Sequence, residues 1–263
     1  MSVREILETA SDLGYDAVEL TLEAEGEITM DTADDDLAEI KQIADDLGLQ
    51  LPTFATGLHW EDPVVLPGGE KGEKGIEITK CCLRFAEILG ASTVLMVPTT
   101  VTPELPYDVA YEVAREVCCD LAPVAEQHGV CVGVENVWNK FLLSPLEFAR
   151  FIDEVDSEYI GAYFDVGNVL KTGYPQQWIK ILGDRIKAVH LKDFRTDVGL
   201  LPGFVDLLEG DVDWPAVIDA LKSIGYDFAV TAEMMPPYQH NPLYLIEATS
   251  GAMDLILGRK SYE

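Results

Sequence analysis

Four side chains capable of binding a metal stand at the ends of four consecutive apolar segments. Glu135 ends VCVGVE, Asp165 ends YIGAYFD, His190 lies in KAVHLKD, and Glu233 ends FAVTAE. A carboxylate inside an apolar strand is costly to bury without a partner, so one such residue at every strand end is hard to explain by packing. Three carboxylates and one imidazole suit Mn²⁺, Mg²⁺ or Co²⁺, and the imidazole keeps Zn²⁺ open as well.

Taken singly, each of these residues has an ordinary structural interpretation. Glu135 could form a salt bridge, and Asp165 could cap the turn that follows it. His190 could be a hydrogen-bonded core histidine, and Glu233 could pair with Lys192. Their recurrence at four successive strand ends favours one shared divalent-metal site.

The segments that must position these residues alternate between helical and strand patterns. Runs such as STVLMV and YIGAYF are nearly continuous in apolar residues, which is typical of parallel strands buried on both faces. The sequence predicts eight helices, at 3–13, 32–47, 73–89, 107–128, 145–155, 175–182, 213–224 and 241–257. It predicts seven strands, at 16–20, 49–56, 92–97, 130–136, 160–166, 186–192 and 228–234, with a long loop at 194–212.

This alternation fits either an eight-fold barrel or an open doubly wound sheet. Neither GxGxxG nor GxxxxGK[ST], the nucleotide-binding motifs typical of open sheets, is present. The chain also begins directly in a helix. We therefore predict an α/β fold, a (β/α)8 TIM barrel that lacks its first β-strand, as a single domain over residues 1–263.

The missing strand would leave a gap between the strands at 16–20 and 228–234. Both of those strands would then carry unpaired backbone groups along one edge. We expect either that the natural protein begins earlier than this chain, or that another segment or subunit fills the gap.

Charge and composition exclude several classes of partner. The chain has 18 Lys and Arg against 47 Asp and Glu, a net charge of −29. Nucleic acids and anionic membranes bind chiefly through Lys and Arg, so neither is expected to bind here. The start, MSVREILETASDLGYD, is not a signal peptide and no run is long enough to span a membrane, which predicts a cytoplasmic protein. The five cysteines lack metal-binding spacing and are expected to be reduced core residues.

The strand-end phrases GVENVWNK, YFDVGN, VHLKDF and AEM resemble the xylose isomerase-like superfamily of TIM barrels. The nearest branch is that of sugar phosphate isomerases and epimerases, which includes ketose 3-epimerases and hydroxypyruvate isomerases. LGYDAVEL and EGDVDWPAVIDALKSIGYDF are similar to the same family, so the resemblance spans almost the whole chain. It is specific for the fold and the metal site but not for a substrate.

The resemblance implies that Glu135, Asp165, His190 and Glu233 bind one divalent metal ion, with Mn²⁺ favoured over Mg²⁺, Co²⁺ and Zn²⁺. It also implies that Glu135 and Glu233 are an acid–base pair on opposite faces of the substrate. Removing a proton beside a carbonyl creates an enediolate, which a metal chelating both oxygens stabilises. A carboxylate on each face can take a proton from one side and return one from the other. The implied activity is that of a metal-dependent sugar or sugar phosphate isomerase or epimerase.

Further residues are expected around the substrate. Asn168 stands where some relatives carry a substrate-contacting histidine, and Arg195 is offset by one residue from an arginine of the epimerases. Lys192 either contacts the substrate or forms a rim ion pair with Asp193. The remaining expected substrate contacts are Trp138 and Asn139 in the pocket wall, Glu19 pointing into the mouth, and His59, beside Trp60, in an irregular loop over the mouth.

Other functions remain open or are excluded on the same residues. A keto-inositol dehydratase would use the same metal and base but expel water, and a non-catalytic metal- or sugar-binding barrel, or a subunit of a larger enzyme, would bind without turnover. AP endonucleases share the fold but need three zinc ions and more histidines. Asn168 replaces one of those histidines, the chain has only four histidines, and its net charge is −29, all of which argue against DNA repair. The expected partner is a small carbohydrate, and a homo-oligomer is left open.

Overall fold

The computed structural model describes residues 1–235 and 240–261. The described residues form one parallel seven-stranded sheet and one two-stranded hairpin. The parallel strands, which pair in this order, are β1 (Leu20–Leu22), β2 (Thr53–Thr56), β3 (Thr93–Met96), β4 (Cys131–Glu135), β5 (Ile160–Asp165), β6 (Ile186–Leu191) and β9 (Val230–Ala232). The predicted α/β class and the seven parallel strands are therefore confirmed.

Helices alternate with these strands along the chain. They are α1 (Val3–Asp12), α2 (Asp34–Asp46), α3 (Glu73–Leu89), α4 (Tyr107–His128), α5 (Pro145–Val155), α6 (Val166–Val169), α7 (Pro175–Leu182), α8 (Trp214–Ser223) and α9 (Pro242–Ile256). Gly90 and Gly129 end α3 and α4 at φ of 76° and 65°, as their positions in the sequence predict. The four-residue helix α6 was not predicted.

Two apolar layers lie on the two sides of the curled sheet. The larger one joins the strands to the surrounding helices and contains Phe54, Phe85 and Phe164. The smaller one is a separate cluster of Ala55, Leu95, Val97, Tyr163 and Ala188. The two sets alternate along the strands, since side chains at successive strand positions point to opposite faces. Tyr163 therefore lies inside the curl, on the side opposite Phe164.

The sheet stays open between β1 and β9, which form no ladder with each other within the described ranges. A cavity of about 340 Å³ lies along this opening, lined by Glu19 on one side and Ala232 and Glu233 on the other. Helix α9 closes it from outside, where the Tyr15 hydroxyl donates to the carbonyl oxygen of Ile246 at 2.7 Å. No strand of residues 1–235 or 240–261 fills this place, in agreement with the seven-stranded sheet that the sequence predicts.

The segment after β6 differs from the long loop that the sequence predicts. It contains the antiparallel hairpin β7 (Asp193–Phe194) and β8 (Phe204–Val205). The buried Asp193 carboxylate accepts hydrogen bonds from the Leu208 and Val212 backbone amides and from the Trp214 indole. One buried carboxylate thus organises a stretch whose composition alone indicates irregular structure.

The five cysteines are all free but differ in their exposure to solvent. All five cysteines are free, as expected. Cys82 and Cys118 are buried, but Cys119 is exposed, so the expectation that all five are core residues is wrong.

No described helix has both the length and the apolar content that crossing a membrane requires.

Candidate metal centre

The four predicted metal ligands converge at the carboxyl ends of β4, β5, β6 and β9. Glu135 and Asp165 end their strands, His190 lies one residue before the end of β6, and Glu233 directly follows β9. Asp165 and His190 are register partners in the parallel β5–β6 ladder. Each residue offers one ligand atom, and these atoms all lie within 4.8 Å of one another. In-register parallel pairing thus brings together residues that are far apart in the chain.

The donor atoms at this place fit a divalent cation. His190 Nδ1 lies 3.1 Å from Glu233 Oε2 and 3.6 Å from Glu135 Oε1. Buried polar atoms in proteins almost always have a hydrogen-bond partner. Asp165 Oδ2, His190 Nδ1 and Glu233 Oε2 are buried and make no hydrogen bond of good geometry with the described residues, although the Lys192 ammonium forms ion pairs with the two carboxylates. Two carboxylate oxygens and one imidazole nitrogen that are gathered around one point form a donor set that suits Mn²⁺, Mg²⁺, Co²⁺ or Zn²⁺.

Lys192 enters the same cluster from the end of β6. Its Nζ lies 2.7 Å from Glu233 Oε2 and 3.3 Å from Asp165 Oδ2. Burial alone would lower the pKa of Lys192, but the charge of Asp165 and then of Glu233 outweighs it and raises the pKa. The expected ion pair with Asp193 is therefore wrong, because Asp193 holds the hairpin while Lys192 balances the charge of two candidate ligands.

The two candidate acid–base residues have opposite environments. Burial raises the pKa of Glu135 to about 7, and the neighbouring charge of Glu233 adds to this effect. Burial also disfavours the charged form of Glu233, whose side chain is 39% exposed. The adjacent His190 and Lys192 outweigh that effect and lower the pKa of Glu233 to about 2. Two carboxylates whose pKa values are pushed apart are the arrangement that general acid–base pairs use.

The raised pKa of Glu135 predicts how the stability of the metal-free protein depends on pH. Its pKa in the folded state is about 7, against an ordinary 4.5, so folding favours the protonated form. This contribution is complete below pH 4.5 and is lost as the pH rises through 7. We expect the free energy of unfolding of the wild type to fall by roughly 3 kcal/mol relative to Glu135→Gln across this interval.

Urea unfolding in EDTA at pH 4.5, 6 and 8 measures this effect. The control is Glu126→Gln, which removes an exposed carboxylate on α4 and should follow the wild type at every pH. Parallel pH profiles for the wild type and Glu135→Gln would contradict the prediction.

Two asparagines that the sequence analysis left without a structural role hold Asp165 in place. Asn136 Nδ2 donates to the Asp165 carbonyl at 2.8 Å, and Asn136 Oδ1 accepts from the Asp165 amide at 2.9 Å. The Asn168 amide donates to Asp165 Oδ1 at 2.7 Å, and Asn168 Nδ2 donates to the Asn136 carbonyl at 3.0 Å. The backbone amide of Asn168 thus orients Asp165, while its side chain, an expected substrate contact, holds the Asn136 backbone. The sequence signal for this role was their position, because Asn136 directly follows Glu135 and Asn168 stands three residues after Asp165.

Trp138 and Asn139 lie in the loop after β4, as expected for residues of the mouth. The Trp138 indole donates to the Asn168 carbonyl at 2.9 Å, and its ring packs on Phe204 with centroids 4.9 Å apart. Asn139 is buried and donates to the Thr99 carbonyl at 2.9 Å. Trp138 therefore links the β4 loop to the hairpin, and Asn139 holds the loop itself.

Arg195 and His59, which were expected to contact the substrate, form hydrogen bonds with other residues of the protein. The Arg195 guanidinium, which is 46% exposed, donates at 2.9 Å to both the carbonyl and the carboxylate of Glu209. His59 is buried, with Nε2 3.0 Å from Thr79 Oγ1 of α3, and burial lowers its pKa to about 4. His59 lies in the short 3₁₀ helix Leu58–Trp60, which follows β2, and its neighbour Trp60 is 54% exposed. The expected substrate contact of His59 stays a prediction.

Glu19 was expected at the end of the strand predicted at 16–20, pointing into the mouth; the structure places it directly before β1, with its side chain inside the curled sheet. Its Oε1 lies 2.9 Å from His190 Nε2, and its Oε2 accepts a hydrogen bond from the Tyr163 hydroxyl. These partners stand 171 and 144 residues away in the chain. Tyr163 was not among the residues expected at the site, since it lies within the apolar run YIGAYF.

Comparison with known proteins adds independent findings. The family model described as "Xylose isomerase-like TIM barrel" matches residues 7–250. The chain is 26% identical over 264 residues to the putative L-ribulose-5-phosphate 3-epimerase SgbU of Escherichia coli, covering 94% of this chain and 89% of that protein. It is 28% identical over 174 residues to the uncharacterized protein MJ1311 of Methanocaldococcus jannaschii, covering 61% of this chain and only 58% of that protein.

Two solved structures share the fold over nearly the full length of the chain. A D-psicose 3-epimerase crystallised in the presence of D-fructose superposes with a TM-score of 0.81 at 17% identity, covering 98% of this chain and 94% of that one. The IOLI protein with a bound zinc atom superposes with a TM-score of 0.79 at 21% identity, covering 100% and 95%.

Proposed function

Because this chain belongs to the xylose isomerase-like TIM barrel family, whose model matches residues 7–250, we propose that it is a divalent-metal-dependent sugar or sugar phosphate isomerase or epimerase. The observation that carries the proposal is the convergence of Glu135, Asp165, His190 and Glu233 within 4.8 Å. The names of SgbU and of the psicose epimerase support the same reaction class, because both name the epimerisation of a ketose sugar.

The four converging side chains would hold the metal, and Mn²⁺ is the ion we favour. When bound, a divalent metal supplies stabilisation of negative charge on the substrate oxygens as a proton leaves the neighbouring carbon. The zinc atom named in the IOLI structure supports metal binding by a protein of this fold but not one particular ion. The free cysteines support a reducing compartment, and we place the enzyme in the cytoplasm.

We assign the proton transfers to the two glutamates of unequal pKa. Glu233, the more exposed and more acidic, takes the proton from the carbon beside the carbonyl, and the electron pair of the broken C–H bond passes to the carbonyl oxygen. Glu135, buried and with a pKa of about 7, returns a proton. Return to the opposite face of the same carbon restores the carbonyl and gives an epimer. Return to the former carbonyl carbon gives an isomer, provided that the proton of the neighbouring hydroxyl passes to the former carbonyl oxygen, so that the hydroxyl carbon becomes the new carbonyl.

Lys192 supports this assignment through its contact with Glu233. An ammonium 2.7 Å from the carboxylate keeps Glu233 ionised, which a base requires before it meets its substrate. The Asn136 and Asn168 contacts fix the backbone and Oδ1 of Asp165, which leaves its Oδ2 beside Lys192 in the cluster.

Metal analysis followed by isotope exchange tests the proposal. The purified protein should contain, or take up, about one divalent ion per chain, and should then exchange solvent deuterium into a ketose at the carbon beside the carbonyl. The panel should pair each free ketose with its phosphate, since the names of the similar proteins include a free ketose and a ketose phosphate. Metal uptake without exchange on any member would instead support a non-catalytic binding barrel.

A further inference from the structure

A hydrogen-bonded chain of three buried side chains leads from the opening of the sheet to the candidate metal centre. The Tyr163 hydroxyl donates to Glu19 Oε2, and Glu19 Oε1 lies 2.9 Å from His190 Nε2. The Tyr163 and His190 rings also pack together, with centroids 4.5 Å apart. All three side chains are nearly inaccessible to solvent, with at most 9% of any one exposed.

The two ring nitrogens of His190 face different groups, Nε2 toward Glu19 and Nδ1 toward the candidate metal ligands. A neutral imidazole carries one N–H donor and one lone-pair acceptor. Carboxylates lie beside both nitrogens, Glu19 at Nε2 and Glu233 at Nδ1, but only Nδ1 faces the four converging side chains. A cation bound there would take the lone pair of Nδ1, so the remaining ring proton would lie on Nε2, toward Glu19. The lone pair then lies on Nδ1, the atom 3.1 Å from Glu233 Oε2 that has no hydrogen-bond partner among the described residues. Glu19 thereby directs the ligating nitrogen into the cluster.

Tyr163 holds the Glu19 carboxylate in place by a hydrogen bond, as Glu19 in turn holds the His190 ring. Its hydroxyl occupies the second oxygen of the carboxylate, so both oxygens have partners and the carboxylate plane is held between β5 and β6. A carboxylate held in this way fixes the rotation of the imidazole ring as well as its tautomer.

We propose that Glu19 is a positioning residue of the metal centre, which orients His190 and selects its Nδ1 lone pair for the metal, rather than a substrate contact. Tyr163 supports it by holding the carboxylate. The inference rests on the metal site of the proposed function and assigns to that site an outer carboxylate beside β1, the strand that borders the opening.

Mn²⁺ affinity of the wild type and of three variants tests the inference. Loss of an outer partner of a ligating histidine typically weakens metal binding about 10–100-fold, which is the effect we expect for Glu19→Gln. Tyr163→Phe, which keeps Glu19 but removes its hydrogen-bond donor, should give a smaller loss. Glu23→Gln is the matched control, because Glu23 is an exposed glutamate four residues along the same segment, and its affinity should equal that of the wild type.

The tautomer provides a readout that a purely structural role would not move. In ¹⁵N-histidine spectra of the Zn²⁺-loaded wild type, His190 should be coordinated through Nδ1 and protonated at Nε2. The chain has only four histidines, so single substitutions assign the signals. This measurement needs no variant at position 19 and stays decisive if Glu19→Gln fails to fold.

The outcomes separate this inference from the proposed function. Coordination through Nε2, or an Mn²⁺ affinity of folded Glu19→Gln within about twofold of the wild type, well short of the usual effect of an outer partner, would overturn the role of Glu19 while leaving the metal enzyme intact. Failure of the wild type to bind any divalent metal would overturn the proposed function, and this inference with it.

Discussion

Glu233→Gln should lower the rate of deuterium exchange into the ketose substrate by about 10²–10⁴-fold, the usual contribution of a general base. Glutamine keeps the volume of the side chain but cannot accept the substrate proton. The lowered pKa of Glu233 makes it the group that is ionised before the reaction. Glu135→Gln should cause a loss of similar size, because the proton that completes the reaction is then missing.

The exchange rate must be measured at saturating Mn²⁺, because both glutamates are also candidate metal ligands. Metal content of each variant in the assay separates loss of the base from loss of the ion. Glu247→Gln, which alters an exposed residue of α9, is the control and should exchange at the wild-type rate. Full exchange by Glu233→Gln with its metal bound would refute the assignment of the base.

The Glu135→Gln, Asp165→Asn double variant should lose its metal. Each substitution preserves volume and replaces a carboxylate by an amide, and the amide oxygen introduced at position 165 can still accept from the Asn168 backbone amide as Asp165 Oδ1 does. Two ligands are altered directly, so the loss of Mn²⁺ affinity should exceed the roughly 10–100-fold that follows removal of an outer partner. Elemental analysis and Mn²⁺ titration measure it.

Non-specific binding is the main alternative source of metal in this protein. A chain with a net charge of −29 attracts divalent cations over its whole surface. The control is therefore a double variant with the same change in charge at exposed positions, Glu25→Gln with Asp31→Asn. Equal metal content in the two double variants would show that the ion is not held by the four converging side chains.

The prediction of the fold succeeded where the signal was local. Each strand is an apolar run of a few residues bounded by turn signals, and the glycines that end α3 and α4 are visible as single letters. The strand after Gly14 was predicted at 16–20, whereas the structure pairs Leu20–Leu22, with a single bridge at Ala17. Strand ends depend on which neighbour is available, and the neighbour on one side of β1 is absent among the described residues.

The prediction failed where side chains find distant partners. Lys192 was expected either to contact the substrate or to pair with Asp193, but it pairs with Asp165 and Glu233, and the sequence does not indicate which way a long side chain will point. The burial of His59 was not predicted, because it depends on the packing of α3 against it.

The sequence by itself determined the α/β class, the seven parallel strands and the four residues at their ends, because periodicity and strand-end position are local properties and parallel pairing then forces the ends together. Only the tertiary structure decided the chemical state of those residues. The protonation of Glu135 depends on burial, and the orientation of His190 depends on Glu19, 171 residues earlier in the chain. Burial and contacts of this range exist only after the strands have packed, and they set both pKa and tautomer.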